Sequence, residues 1–136
     1  MANPRYLLDT NIVSDLARDP QGAAARRVAE VGTDNLAVSV IVACEVRFGA
    51  AKSGSRRLAK RLDQLLQEIT QLPLEPPVAR HYADIRAHLE RRGTPIGPND
   101  LFIAAHARAL DAVLVTDNER EFSRVPRLSV ENWRRS

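Results

Sequence analysis

Cysteine is nearly absent: Cys44 stands alone in the 136-residue chain, so no internal disulfide can form. Its apolar neighbours lead to the expectation of a packed, reduced thiol in a cytoplasmic protein. Long apolar runs are missing too. The longest strongly apolar stretch, Leu36 to Cys44, falls far short of the roughly 20 residues needed to cross a bilayer, which leaves no role for a membrane. Residues Met1 to Arg5 lack the basic stretch, apolar core and small-residue cleavage site of a secretion signal, so secretion is not expected. Lysine is scarce: Lys52 and Lys60 are the only two, and the rest of the 20 basic charges are arginine, whose planar fork suits phosphate or carboxylate. No repeat, linker or low-complexity tract interrupts the sequence, and its length suits one domain over residues 1–136.

What is present reads as alternating strands and helices. Tyr6-Leu7-Leu8 is a short apolar strand running into the polar turn Asp9-Thr10-Asn11. Helices are expected over Ile12 to Arg18, stopped by Asp19-Pro20, and over Gln21 to Val31, ended by Gly32. Leu36 to Ser39 is a second strand and Val40 to Ala51 a helix. Arg56 to Thr70 is an amphipathic helix, with Leu58, Leu62, Leu65, Leu66 and Ile69 on one face. Gln71 to Leu74 forms a short strand, Val78 to Arg92 a helix, and Asp100 to Leu110 an alanine-rich helix buried on several sides. Ala112 to Val115 is a central strand ending at Thr116-Asp117-Asn118, and Leu128 to Val130 a last strand. Such alternation predicts right-handed crossovers, and hence an α/β fold with a mainly parallel central sheet covered by helices.

The chemistry is carried by acids. In a doubly wound sheet ligands gather where strands end, which puts Asp9 and Asp117 on one rim. Asp100 opens a helix, where the dipole favours an anion, although a helix cap would have the same residue there. Asp9 has its own plain explanation as an Asx turn or cap. Glu45 sits within Leu-Ala-Val-Ser-Val-Ile-Val-Ala-Cys-Glu-Val, where an unpaired buried carboxylate costs several kcal/mol. An ion pair with Arg47 or another arginine, a solvent-facing edge, or a metal ion would compensate it. Acids crowded on one rim repel unless cations neutralise them, and oxygen ligands point to magnesium or manganese. Zinc fits poorly, since His81, His88 and His106 show no ligand spacing and are expected at the surface or half-buried. A bound cation would activate water for attack on a phosphodiester.

Four segments in order resemble the PIN-domain family, and within it the VapC-like toxins, over nearly the whole chain. They are Leu7-Leu8-Asp9-Thr10-Asn11-Ile12, Ser39 through Glu45 to Gly49, Ile96 to Ala107, and Leu114 to Phe122; the tail segments Val125 to Leu128 and Val130 to Trp133 also match. The resemblance implies a three-layer α/β/α sandwich and a Mg2+- or Mn2+-dependent endoribonuclease, with Asp9, Glu45 and Asp100 as catalytic, metal-holding acids. The family often carries its fourth acid two residues after the threonine, where this chain has Asn118. Asp117 lies one residue after it, and is expected to join the catalytic acids, acting through water or in support of the site. Thr10, Asn11, Ser39, Thr116 and Asn118 are the supporting polar residues that orient carboxylates or water. The resemblance also implies an RNA substrate, a VapB-like antitoxin whose tail covers the acidic groove, and a homodimer. The helices from Val40 to Thr70 offer apolar stripes for both protein contacts.

Two other readings compete. A PIN-like module that grips nucleic acid or antitoxin without cutting draws support from the displaced fourth acid. A phosphotransfer enzyme with Asp9 as nucleophile would be expected to show a second acid where Asn11 stands, and a lysine-bearing partner motif that this chain lacks.

Overall fold

A strand buried on both faces reads as a continuous apolar run, and Tyr6–Leu8, strand β1, has all three residues buried. In the computed structural model, which describes residues 3–135, β1 lies at the centre of a five-stranded sheet of order β3-β2-β1-β4-β5. The other strands are β2 (Leu36–Ser39), β3 (Thr70–Leu72), β4 (Val113–Val115) and β5 (Val130–Glu131). Every neighbouring pair is parallel, and Leu7 stands opposite Ala37 on one side and Leu114 on the other.

Parallel strands need crossovers, and the helices supply them: α1 (Thr10–Arg18), α2 (Ala23–Val31), α3 (Val40–Ser53), α4 (Arg56–Glu68), α5 (Val78–Arg91), α6 (Pro98–Leu110) and α7 (Glu119–Phe122). The chain winds from β1 through β2 to β3, then returns past β1 to β4 and β5. Right-handed crossovers in opposite directions put helices on opposite faces. Accordingly α1, α3 and α4 pack on one another, and α5 packs along α6. The result is a three-layer α/β/α sandwich whose winding reverses between β1 and β4, the place where such folds open a crevice at their carboxyl ends.

The alanine-rich α6 is the most enclosed helix, with Leu101 and Ile103 to Ala107 all buried. It begins two residues before Asp100, because Pro98 can occupy a first turn whose N–H groups have no helical partner. At its other end α4 stops at Glu68, so that Thr70 can pair with Ala37 and open β3. The chain exits α3 through Gly54 at φ +68°, a left-handed cap that glycine adopts without a side-chain clash. A 3-10 turn at Thr33–Asn35 and the short α7 have no counterpart in the sequence expectations.

Two expectations about burial are corrected. Cys44 is exposed, because the buried side of α3 is formed by Val42, Ala43, Val46 and Ala50. His106 is fully buried on α6 rather than at the surface or half-buried, with its Nδ1 lacking a hydrogen-bond partner; burial lowers its pKa and favours the neutral ring. Among the described residues no helix is long and apolar enough to cross a membrane.

Candidate active site

The carboxyl ends of β1, β2 and β4 deliver Asp9, Ser39 and Thr116 to one rim, all three side chains buried. Asp9 caps α1, its Oδ1 accepting the Thr10 N–H at 2.8 Å. That leaves Oδ2 facing the rim, where it accepts from Thr116 Oγ1 at 2.7 Å and from Asn11 Nδ2 at 3.3 Å. The cap and the site therefore use different oxygens of one carboxylate. Thr116 Oγ1 also accepts the Asn118 N–H at 3.0 Å, which shapes the turn after β4. Ser39 plays the corresponding capping role for α3, accepting the Ile41 N–H at 3.2 Å.

Glu45, half-buried on α3, is not compensated by Arg47. Arg47 pairs with Asp63 at 2.6 Å instead. Thr10 Oγ1 donates to Glu45 Oε1 at 2.5 Å, and Asn99 Nδ2 donates to Oε2 at 3.2 Å. Thr10 thus links Asp9 and Glu45 through consecutive groups, its backbone N–H going to one acid and its hydroxyl to the other.

Asp100 does not cap its helix; Gly97 does, without a side chain. A Cβ at Gly97 would stand 3.6 Å from Asp100 Oδ2, so the loop lies directly against the carboxyl. Facing the same loop from α7 is Glu121, whose Oε1 accepts the Gly97 N–H at 3.4 Å and whose Oε2 accepts from Asn118 Nδ2. The Asp100 carboxyl is pushed up to about 8. Burial contributes most, followed by the hydrogen bond to Glu121 and its charge, and then by the charges of Asp9 and Glu45. Asp9 is also raised, chiefly by burial, against the opposing hydrogen bonds from Thr116 and Thr10. Four carboxyl groups therefore share one electrostatic neighbourhood in a protein whose net charge is +3.

Asp117 faces another way. It is exposed, and its two oxygens accept from Asn132 Nδ2 and Arg134 Nη1, at 2.9 and 2.8 Å. Glu121 and Asn99 were not among the residues singled out from sequence. A signal for Glu121 existed: Asn118-Glu119-Arg120-Glu121 has the spacing of a capping box, which announces a helix start and brings its fourth residue back toward the first. Arg56 and Arg57 remain exposed at the start of α4.

Among the described residues no three His, Cys, Asp or Glu side chains already converge as a set of metal ligands. The carboxylates are instead spaced by Thr10, Asn99, Thr116 and the Gly97 loop. The donor chemistry nonetheless fits a hard divalent cation, since the charged groups that act on Asp100, namely Glu121, Asp9 and Glu45, are carboxylates. A cation there would offset the desolvation and the carboxylate repulsion that together keep Asp100 protonated.

The raised carboxyl has a measurable consequence for stability in chelator. The folded protein holds the Asp100 proton up to pH about 8, whereas its ordinary value is 3.8, so unfolding releases a proton throughout that window. Stability from this group is therefore greatest at acidic pH and falls as pH rises toward 8. Asp100→Asn keeps the neutral shape without the titration. Thermal melts of metal-free protein should give a variant-minus-parent Tm difference that grows by a few degrees from pH 5 to pH 8; a constant difference would contradict the assignment.

Fold and rim together define a class: a doubly wound α/β domain with a carboxylate-lined crevice at its winding reversal. Comparison with known proteins is specific. A family model for the PIN domain matches residues 6–128. The chain is 40% identical over 132 residues to Ribonuclease VapC2 of Haemophilus influenzae, covering 95% of this chain and 98% of that protein. It is 35% identical, with the same coverages, to the tRNA(fMet)-specific endonuclease VapC of Salmonella typhimurium. The crystal structure of VapBC2 from Rickettsia felis, bound to a DNA fragment from its promoter, superposes with a TM-score of 0.87 at 35% identity, covering 94% of this chain and 98% of that one. The chain belongs to the PIN-domain family, and its likeness within that family is to the VapC proteins.

Proposed function

We propose that this chain is the toxin of a VapBC-type toxin–antitoxin pair, an endoribonuclease that hydrolyses RNA phosphodiester bonds with the help of Mg2+ or Mn2+. The observation that carries the reading is the rim of Asp9, Glu45, Asp100 and Glu121, where burial first, and then the hydrogen bond and charge of Glu121, leave Asp100 protonated near neutral pH. Asp9, Glu45 and Asp100 would hold the cation, with Glu121 in the fourth acidic place that Asn118 and Asp117 leave unfilled. Such a cation, when bound, supplies the positive charge that eases the ionisation of water and offsets the charge gathering on a phosphodiester.

The chain's own residues do the positioning. Thr116 and Asn11 fix the inward oxygen of Asp9, while Thr10 and Asn99 hold both oxygens of Glu45, so neither carboxylate has to be ordered when a cation arrives. Asp100, hydrogen-bonded to Glu121, would have to give up its proton to hold a cation, so metal affinity should rise with pH. Relatives named as ribonucleases, and one named for tRNA(fMet), support RNA as substrate. The Rickettsia felis relative seen in a VapBC2 complex supports a VapB-like antitoxin as partner. On α3, Phe48 is 68% exposed and Val40 39% exposed, two apolar side chains available to the antitoxin or to the second subunit of a homodimer.

The test is direct. Purified protein incubated with manganese and labelled RNA, including tRNA(fMet), should cut it, and chelator should stop the cutting. Binding of RNA without cleavage at any metal concentration would favour a non-catalytic module instead.

A further inference from the structure

Past β5 the chain turns back across the rim on a fixed anchor. Trp133 is buried, its ring edge-on to Tyr6 of β1 with centroids 4.9 Å apart, and its Nε1–H donates to Glu131 at 2.9 Å. The next residue, Arg134, bridges two elements: Nε lies 3.2 Å from Asp15 Oδ1 on α1, and Nη1 2.8 Å from Asp117 Oδ2 in the turn after β4. Asn132 supports the same turn, donating to Asp117 Oδ1 at 2.9 Å and accepting the Arg134 N–H at 2.9 Å. Both Asp117 oxygens are thereby engaged by residues of the tail.

The turn held in this way touches the acidic rim through its backbone. The Asp117 N–H donates to Asn11 Oδ1 at 2.9 Å. An amide side chain has two chemically different ends, and fixing its oxygen commits its NH2 to the other side. That NH2 lies 3.3 Å from Asp9 Oδ2 and 3.3 Å from Thr116 Oγ1. If the amide turned over, its oxygen would face the Asp9 carboxylate, acceptor against acceptor. A lone exposed ion pair would contribute little to such control. Here one guanidinium spans carboxylates from two elements, and the buried Trp133 beside it fixes its reach.

We infer that Arg134 is a positioning residue for the acidic centre: by bridging Asp15 and Asp117 it holds the turn after β4, so that the Asp117 N–H orients the Asn11 amide toward Asp9. Asp117 then serves as the tail's anchor rather than as a ligand. The consequence for metal binding rests on the reading of Asp9 as a metal-holding acid.

Two readouts on Arg134→Gln and Arg134→Lys test it. In chelator-treated protein, the Asn11 side-chain NH2 resonances in nitrogen-edited NMR should move toward free-amide positions in Arg134→Gln and return in part in Arg134→Lys. In manganese titrations, half-saturation should rise roughly tenfold in Arg134→Gln, the size expected when an outer partner of a ligand is lost, with partial recovery in Arg134→Lys. Asn11 resonances and manganese affinity that match the parent protein would overturn the inference, even if the variant melted earlier. A parent protein that takes up no manganese would instead overturn the metal reading of Asp9, and the Asn11 resonances alone would then decide whether Arg134 positions it.

Discussion

Asp9→Asn and Asp100→Asn should each lower manganese-dependent RNA cleavage by more than a hundredfold while leaving the protein folded. Loss of an outer partner typically costs about 10–100-fold in affinity or activity, and a group proposed to hold the cation itself should cost more. Asp100 gives the cleanest case. The folded protein already favours its uncharged form, with a carboxyl raised to about 8, so an amide of the same shape imposes no new buried charge near neutral pH. A loss of cleavage in that variant cannot be attributed to unfolding, which far-UV circular dichroism and a melt would verify. Activity within tenfold of the parent protein would remove Asp100 from the mechanism.

Phe122→Ala should be the most destabilising single change near the site, costing about 3–5 kcal/mol by the rule for large-to-small core substitutions. Phe122 is fully buried, and it is the apolar anchor of α7, a helix of four residues that cannot persist without tertiary contacts. The same helix carries Glu121, whose Oε1 receives the Gly97 N–H beside Asp100. Releasing α7 should therefore also lower the Asp100 carboxyl toward its ordinary range, because the hydrogen bond to Glu121 and its charge are the largest causes of the shift after burial. Urea titration should show a lower midpoint at unchanged slope, the sign of lost stability rather than a changed unfolded state. A cost under 1 kcal/mol would mean that α7 is held by something other than this side chain.

The parallel sheet was legible because its strands are short, apolar and separated by helical patterns, and because Asp9 and Thr116 follow two of them directly. Glu45 stood out as a charge in an apolar stretch. What the sequence concealed was direction. Asp100 and a capping residue look alike in one dimension; only the packed loop shows that Gly97 caps the helix and leaves the carboxyl against Glu121. Asp117 and Glu121 are both acids after β4, yet Asp117 lies in the turn and Glu121 four residues further on in α7, so the two side chains meet different partners. Asp117 turns to Arg134, while Glu121, placed by a helix too short for a periodicity signal, turns to Gly97. Cys44 misled for a related reason: α3 is apolar nearly all round, so composition could not tell its buried face from the face that Phe48 exposes.

The central claim is that Asp9, Glu45, Asp100 and Glu121 form one divalent-cation site. Isothermal calorimetry of chelator-treated protein with manganese, run at pH 6 and pH 8 in buffers of different ionisation enthalpy, tests it most directly. The account predicts saturable uptake that tightens at pH 8, releases a proton at pH 6, and collapses in Asp100→Asn. Uptake that ignores pH and survives Asp100→Asn, or no uptake at either pH, would contradict it.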